Sequence, residues 1–272
     1  MKIFYAFKSK AVLWFLIKTM LVLIILNIIT TALEYYLNVY TELKITGSQT
    51  FKNYVTGMFS FDVEKNIPSY FSTMLFLISA ILLFGISKQV KSSNQPSNFR
   101  KWYLMGCVFA WLALDELFSL HELLINPTRI FLKNLLQQDN LGFLHFAWVL
   151  PYVLLFVFLG VYFFKFIFSL PRKTLESFIM AGVIFIMGAV GLEMVGGYYV
   201  SNDGNEMKLI YKFCTSLEEV LEMLGIIIFI YALIKYIEQQ ESLIVNIAIG
   251  ANKVKSVPNI ESVPVVQESL SA

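Results

Sequence analysis

Charge is what this chain has least of. Asp, Glu, Lys and Arg together make up 15% of its 272 residues, where a soluble domain carries roughly 25%. With 57% hydrophobic residues and a mean hydropathy of +0.68, the chain lies well outside the soluble range, and a membrane solvent is the simple explanation. The net charge is only +2 and no Lys/Arg run is interleaved with aromatics, so nothing points to nucleic acid as a partner. Alternating ten-residue stretches are missing, which argues against a β-barrel. Only two cysteines occur, Cys107 and Cys214. They fall near opposite membrane faces in the topology below, too far apart for a disulfide, so two free thiols are expected. Lys2, Lys8 and Lys10 precede an apolar stretch, as in a signal peptide. That stretch is too long for one and no A-x-A site follows it, so it reads as an uncleaved first span.

Hydrophobic runs are abundant. A hydrocarbon core of about 30 Å needs about 20 apolar helical residues, and six segments qualify, at roughly 11–33, 68–87, 102–124, 141–164, 178–199 and 214–236. Helix follows because lipid satisfies no exposed backbone. The expected fold is an all-α polytopic bundle of six spans over residues 1–237, with a disordered cytoplasmic tail at 238–272. With the N-terminus inside, the inner regions hold Lys2, Lys8, Lys10, Lys88, Lys91, Arg100, Lys101, Lys165, Arg172, Lys173, Lys235, Lys253 and Lys255. The outer loops hold fewer: Lys44, Lys52, Lys65, Arg129, Lys133, Lys208 and Lys212. That bias puts both termini in the cytoplasm. Lys18, inside the first span, is close enough to its inner end to snorkel. In the outer loops, Asn126 and Pro127 suit a helix start, and Ile130, Phe131, Leu135 and Leu136 fall on one face of an interfacial helix. The mixed stretch 38–67 is a candidate partial lid. The bilayer is the expected partner, and a homo-oligomer is open.

The few charges inside the apolar segments are mostly acids. Asp115, Glu116, His121 and Glu122 lie in one segment, His145 in the next, Glu193 in the fifth, and Glu218, Glu219 and Glu222 in the sixth. Ionisable groups in hydrocarbon are tolerated mainly where they face a bundle interior, a wet cavity or one another. At 1.5 Å per residue, Asp115 and Glu116 lie about 20 Å from Trp102, Glu193 about 22 Å from Phe178 and Glu222 about 21 Å from Tyr236. His145 lies about 6 Å below the outer face. All fall in the outer third to half of the bilayer. At about 100° per residue, Asp115, Ser119 and Glu122 share a stripe, as do Glu218, Glu219 and Glu222. Two acidic stripes can face each other only if protons, a metal or the histidines neutralise them.

Three chemistries fit. The leading one is a divalent metal, Zn, Mn or Fe, held by these nine residues. Against it, neither Glu-x-x-His nor HExxH occurs. The second is a proton- or ion-coupled transporter using the acids as a relay, although no broken helix marks a midplane site. The third is hydrolysis at the outer leaflet, with Ser119 as a weak candidate nucleophile. Enzymatic activity is therefore open. The structural alternatives are a polar network holding a subunit of a membrane complex together, Glu218 and Glu219 at a helix N-terminus, His145 as an interface histidine, and Glu34 as a solvated helix end. The aromatics read as lipid-facing packing and interface belts.

EKNIPSYFS (64–72), LDELFSLHE (114–122) and LEEVLEMLG (217–225) together resemble a family of uncharacterised bacterial multi-pass inner-membrane proteins. The resemblance covers about 60–236. It implies some six spans in a bacterial inner membrane and no particular activity, and it adds Glu64 to the acid cluster. The three-histidine zinc pattern of alkaline-ceramidase-like hydrolases cannot be met with two histidines.

Overall fold

Long apolar stretches can satisfy their backbone in lipid only by coiling, and every regular element of the chain is helical in a computed structural model describing residues 8–40, 54–92, 96–203 and 209–255. The helices are α1 (Ser9–Tyr40), α2 (Ile67–Ser92), α3 (Pro96–Phe118), α4 (Ile125–Leu136), α5 (Val149–Phe168), α6 (Arg172–Ile186), α7 (Glu193–Asp203) and α8 (Leu209–Lys255). Between α6 and α7, residues Met187–Leu192 wind as a π-helix, so the two form one continuous rod. Five helices are long and apolar enough to cross a membrane. A sixth span is made if α3 is counted with the helical stretch His121–Leu136, from which it is bent by 79°.

That bend corrects the continuous third span expected over 102–124. The helix stops at Phe118. Ser119 takes a left-handed φ of 54°, and the Leu120 N–H donates to the Asp115 carbonyl at 3.1 Å. A six-to-one bond closed by a left-handed residue is a Schellman cap. Glycine normally fills that position, and serine hides it from a sequence reading. The chain then turns through a 3-10 stretch, His121–Leu124, into α4. Asn126 does not cap α4, which starts one residue earlier. Its outward face is apolar as expected: Ile130, Phe131, Leu135 and Leu136 are exposed and Leu132 is buried. The fourth span also starts later than expected, at Val149 rather than 141. Residues 137–148 form a loop tied to the end of α7 through Asn140, which hydrogen-bonds Ser201 and Asn202.

Residues 1–235 make one compact unit and 236–272 another. α8 runs past the boundary expected at 237, and residues 238–255 are helical; the remainder of the expected tail lies outside the described residues. Part of the candidate lid, residues 41–53, is also outside them. Its later part is staked to α2. Asn66 accepts from the Ser69 N–H (3.2 Å), Ser69 Oγ accepts from the Asn66 N–H (2.9 Å), and Asn66 Nδ2 donates to the carbonyls of Gly57 and Ser60. This is a reciprocal capping box, and it fixes Glu64 two residues upstream.

Small residues and buried polar pairs set the helix spacing. A Cβ at Gly188 would lie 2.8 Å from the Glu218 carbonyl, and one at Gly225 would lie 2.9 Å from the Ala181 carbonyl. The α6–π rod and α8 therefore touch backbone to backbone, as small residues allow in membrane helix pairs. α1 is held to α8 by polar contacts instead. Asn27 Nδ2 donates to Ser216 Oγ at 2.9 Å, and Lys212 Nζ donates to Glu34 Oε2 at 2.5 Å. Glu34 is thus an ion-pair partner, not a solvated helix end. Cys107 and Cys214 are free thiols.

Candidate functional site

A cavity of about 160 Å³ lies where the C-terminal end of α3, the start of α5, the π–α7 junction and the first turns of α8 come together. Its wall carries Asp62, Glu64, Asp115, Glu116, Glu122, Glu193, Glu218, Glu219 and Glu222, with His121 as the sole base lining it among the described residues. Eight of the nine residues singled out in the sequence are therefore gathered around one hollow. The ninth, His145, is not. It sits in the loop before α5, where its backbone carbonyl accepts two bonds from the Arg129 guanidinium (3.0 and 2.8 Å) and its ring stands edge-on to Phe146.

The stripe expected from Asp115, Ser119 and Glu122 on one straight helix does not exist, because the helix ends between them. The break does something a straight helix would not. It folds His121 back so that its Nδ1 lies 3.3 Å from Asp115 Oδ2 and its Nε2 lies 3.2 Å from Glu64 Oε1. Asp115 Oδ1 accepts a 2.7 Å bond from the buried Tyr152 hydroxyl. The result is a continuous chain, Tyr152–Asp115–His121–Glu64, running from the bundle interior to the loop before α2. With both carboxyl groups ionised, the imidazole donates from both nitrogens, which it can do only as the cation. In that state it has no lone pair for a metal.

Trp148 and Tyr152 are the residues the sequence reading missed. They are buried one turn apart at the start of α5, not in an interface belt, and form a small core with Val149. Buried indole and phenol groups seek acceptors. Trp148 Nε1 donates to Glu193 Oε1 at 2.7 Å, as Tyr152 does to Asp115. Their rings pack edge to face 5.2 Å apart, and the His121 ring lies 4.8 Å from Trp148. Glu193 follows directly on the π stretch, whose wider turn resets the face of the rod. Such turns recur at functional sites. Gly188 and Gly191 within it were the available signal.

Glu218, Glu219 and Glu222 are two to four turns inside α8, because that helix begins at Leu209. The reading that put Glu218 and Glu219 at a helix N-terminus is thereby withdrawn. Glu64, which the family resemblance added to the cluster, lines the hollow. Its Oε2 is buried with no hydrogen-bond partner. Asp62 joins it from the same loop. Among the described residues, no three His, Cys, Asp or Glu side chains are grouped closely enough to hold a metal ion as they stand.

Neither a curated protein nor a solved structure matches this chain. A family model does, over residues 18–236, which takes in every helix around the cavity. The chain belongs to the family described as Domain of unknown function (DUF8692).

Proposed function

We propose that this is a six-span protein of a bacterial inner membrane, with both termini cytoplasmic, that holds a cation in an acid cavity opening to the cell exterior. The observation that carries the reading is the imbalance in the cavity wall, where nine carboxyl groups meet a single imidazole. Carboxylates removed from water are strongly destabilising unless positive charge or protons meet them. His121 serves two of them, and the others line a space large enough for a further positive group. Topology is tested by reporters active only in the cytoplasm, fused at each end. Activity from both is expected, and a silent C-terminal fusion overturns the even span count.

A divalent ion is one candidate cation. His121 is committed to Asp115 and Glu64, so the donors left are oxygens. Of the expected Zn, Mn and Fe, such a set suits Mn best. An ammonium group is the other candidate. It needs no converging ligands, only acceptors around three N–H bonds, and the wall as it stands supplies those. The test is equilibrium binding to purified full-length protein, once with Mn²⁺ and once with butylammonium, in wild type and in Glu219→Gln/Glu222→Gln. One of them binding to wild type and lost in the variant supports a cation site. Binding of neither, or binding indifferent to the substitutions, refutes it.

The hydrogen-bonded chain Tyr152–Asp115–His121–Glu64 favours a second reading, a proton relay serving ion-coupled transport. Reconstituted vesicles carrying wild type would then move protons or ions, and Asp115→Asn vesicles would not. Equal flux in both eliminates it.

A further inference from the structure

Directly inward of the acid cavity lies a second hollow of about 300 Å³. A dry cavity of about 150 Å³ accommodates a benzene ring, so this one has room for a hydrocarbon chain. α2, α3, α5, α6 and α8 all contribute to its wall, and every side chain lining it is apolar. The two hollows share Phe76, Leu112, Phe156 and Phe185. They are consecutive compartments, one acidic and one oily, with four common side chains between them. Ile179 and Ile186 border the oily compartment and are half-exposed on the flank of α6, where lipid meets the bundle.

We propose that the acid cavity and the apolar crevice together bind one amphiphile, its ammonium head among the carboxylates and its single hydrocarbon chain in the crevice. This rests on the cation reading above and deepens it. The sign of the head follows from the wall, because its nine acidic side chains favour a cation over a phosphate or carboxylate head, and no lysine or arginine among the described residues lines the cavity to receive an anion. The buried Glu64 Oε2, without a partner in the wall, is an acceptor ready for an N–H from such a head. The chain follows from continuity. A head in the cavity lies next to the four shared side chains, and the crevice begins on their other side. Ile179 and Ile186, half-exposed at the crevice edge, mark the side from which a chain enters in this proposal.

The crevice offers a way to separate chain from head. A Cβ added at Gly182 or at Gly160 meets nothing within 4 Å, and both glycines line the crevice and not the acid cavity. Full-length protein in nanodiscs is titrated with dodecylammonium, butylammonium and Mn²⁺, in wild type, Gly182→Phe, Gly160→Leu and Glu219→Gln/Glu222→Gln. Dodecylammonium is expected to bind wild type more tightly than butylammonium. Filling the crevice at Gly182 weakens dodecylammonium on the order of tenfold through lost packing and leaves butylammonium unchanged. Gly160→Leu repeats the effect from the α5 side, so a folding defect in one variant does not decide the outcome. The double glutamine variant loses both amines. If wild type binds the two amines equally, or Mn²⁺ alone, the amphiphile is refuted and the cation reading survives. If no cation binds, both fall.

Discussion

The bond between Tyr152 and Asp115 gives the sharpest test of the site as built. Tyr152→Phe removes one oxygen and nothing else. The ring keeps its edge-to-face contact with Trp148 and its place in the small core around Val149. What is lost is a 2.7 Å bond from a buried hydroxyl to a buried carboxylate. Hydrogen bonds to charged groups contribute about 1.5–3 kcal/mol, which is about 10- to 150-fold in the unfolding equilibrium. For a chain of this size each kcal/mol moves the Tm by about 2–4 °C, so a fall of about 3–12 °C is expected. Cys214 is buried and free, and a dye that fluoresces on reacting with thiols reports its exposure on heating in detergent. Pairing the variant with Asp115→Ala in a double-mutant cycle isolates the bond, with a coupling of at least about 1 kcal/mol expected. A Tyr152→Phe melt within about 0.5 kcal/mol of wild type, or an additive cycle, would refute the claim that α5 helps hold the carboxylate that orients His121.

Substitutions at four further sites follow from the packing. Ser119→Val puts a β-branched residue at a φ of 54° and should cost about 1–2 kcal/mol, whereas Ser119→Gly should be neutral or stabilising; equal melts for the two would contradict the left-handed cap. Gly188→Ala drives a Cβ against the Glu218 carbonyl and should cost about 1–3 kcal/mol while shifting Glu218 and Glu222, so cation binding weakens as well. Gly182→Ala, which meets nothing, should melt at or above the wild-type temperature. Lys212→Met strands Glu34; loss of one partner from a buried pair costs about 3–5 kcal/mol, and less is expected because the side chains are 12% and 23% exposed. Adding Glu34→Gln should restore part of the loss, and failure of that rescue would show that the pair does not hold α1 to α8.

The long apolar helices were legible because hydropathy over twenty residues is a strong signal and lipid leaves helix as the one open solution; five are long enough to cross a membrane, and a sixth span is reached only by counting the bent pair as one. The helix ends were not legible to the same degree. α3 ends in a left-handed cap made by serine, a residue that composition cannot distinguish from any other serine in a helix. α8 begins five residues before its apolar run because Leu209–Phe213 is itself helical though carrying Lys212. Ion pairs between distant helices leave no local pattern, so Glu34 and Lys212, each plausible as a wetted end, could be matched only by the fold. The amphipathic face of α4 was legible, since four exposed apolar residues at helical spacing have no other cause.

The acid cluster was legible for a different reason. Each carboxylate in hydrocarbon is so unfavourable that its presence suggests a partner, and similar depths counted from separate spans pointed to one another as those partners. What the count could not supply was direction. A straight α3 would spread His121 and Asp115 onto different faces, six residues and about 120° apart around the helix. The reversal at Ser119 replaces that separation with a 3.3 Å contact, and the same turn that hides the helix end from the sequence therefore creates the site's one cationic partner. The neutral half of the site was hidden by its chemistry. Trp148 and Tyr152 look like any aromatics near a membrane surface, and only their burial beside Glu193 and Asp115 turns two belt residues into hydrogen-bond donors. The donors hold two carboxyl groups in place and bring no positive charge, so the wall's acids still outnumber its base nine to one, and that imbalance beside an oily crevice is the ground for the proposed positive head with a hydrocarbon chain.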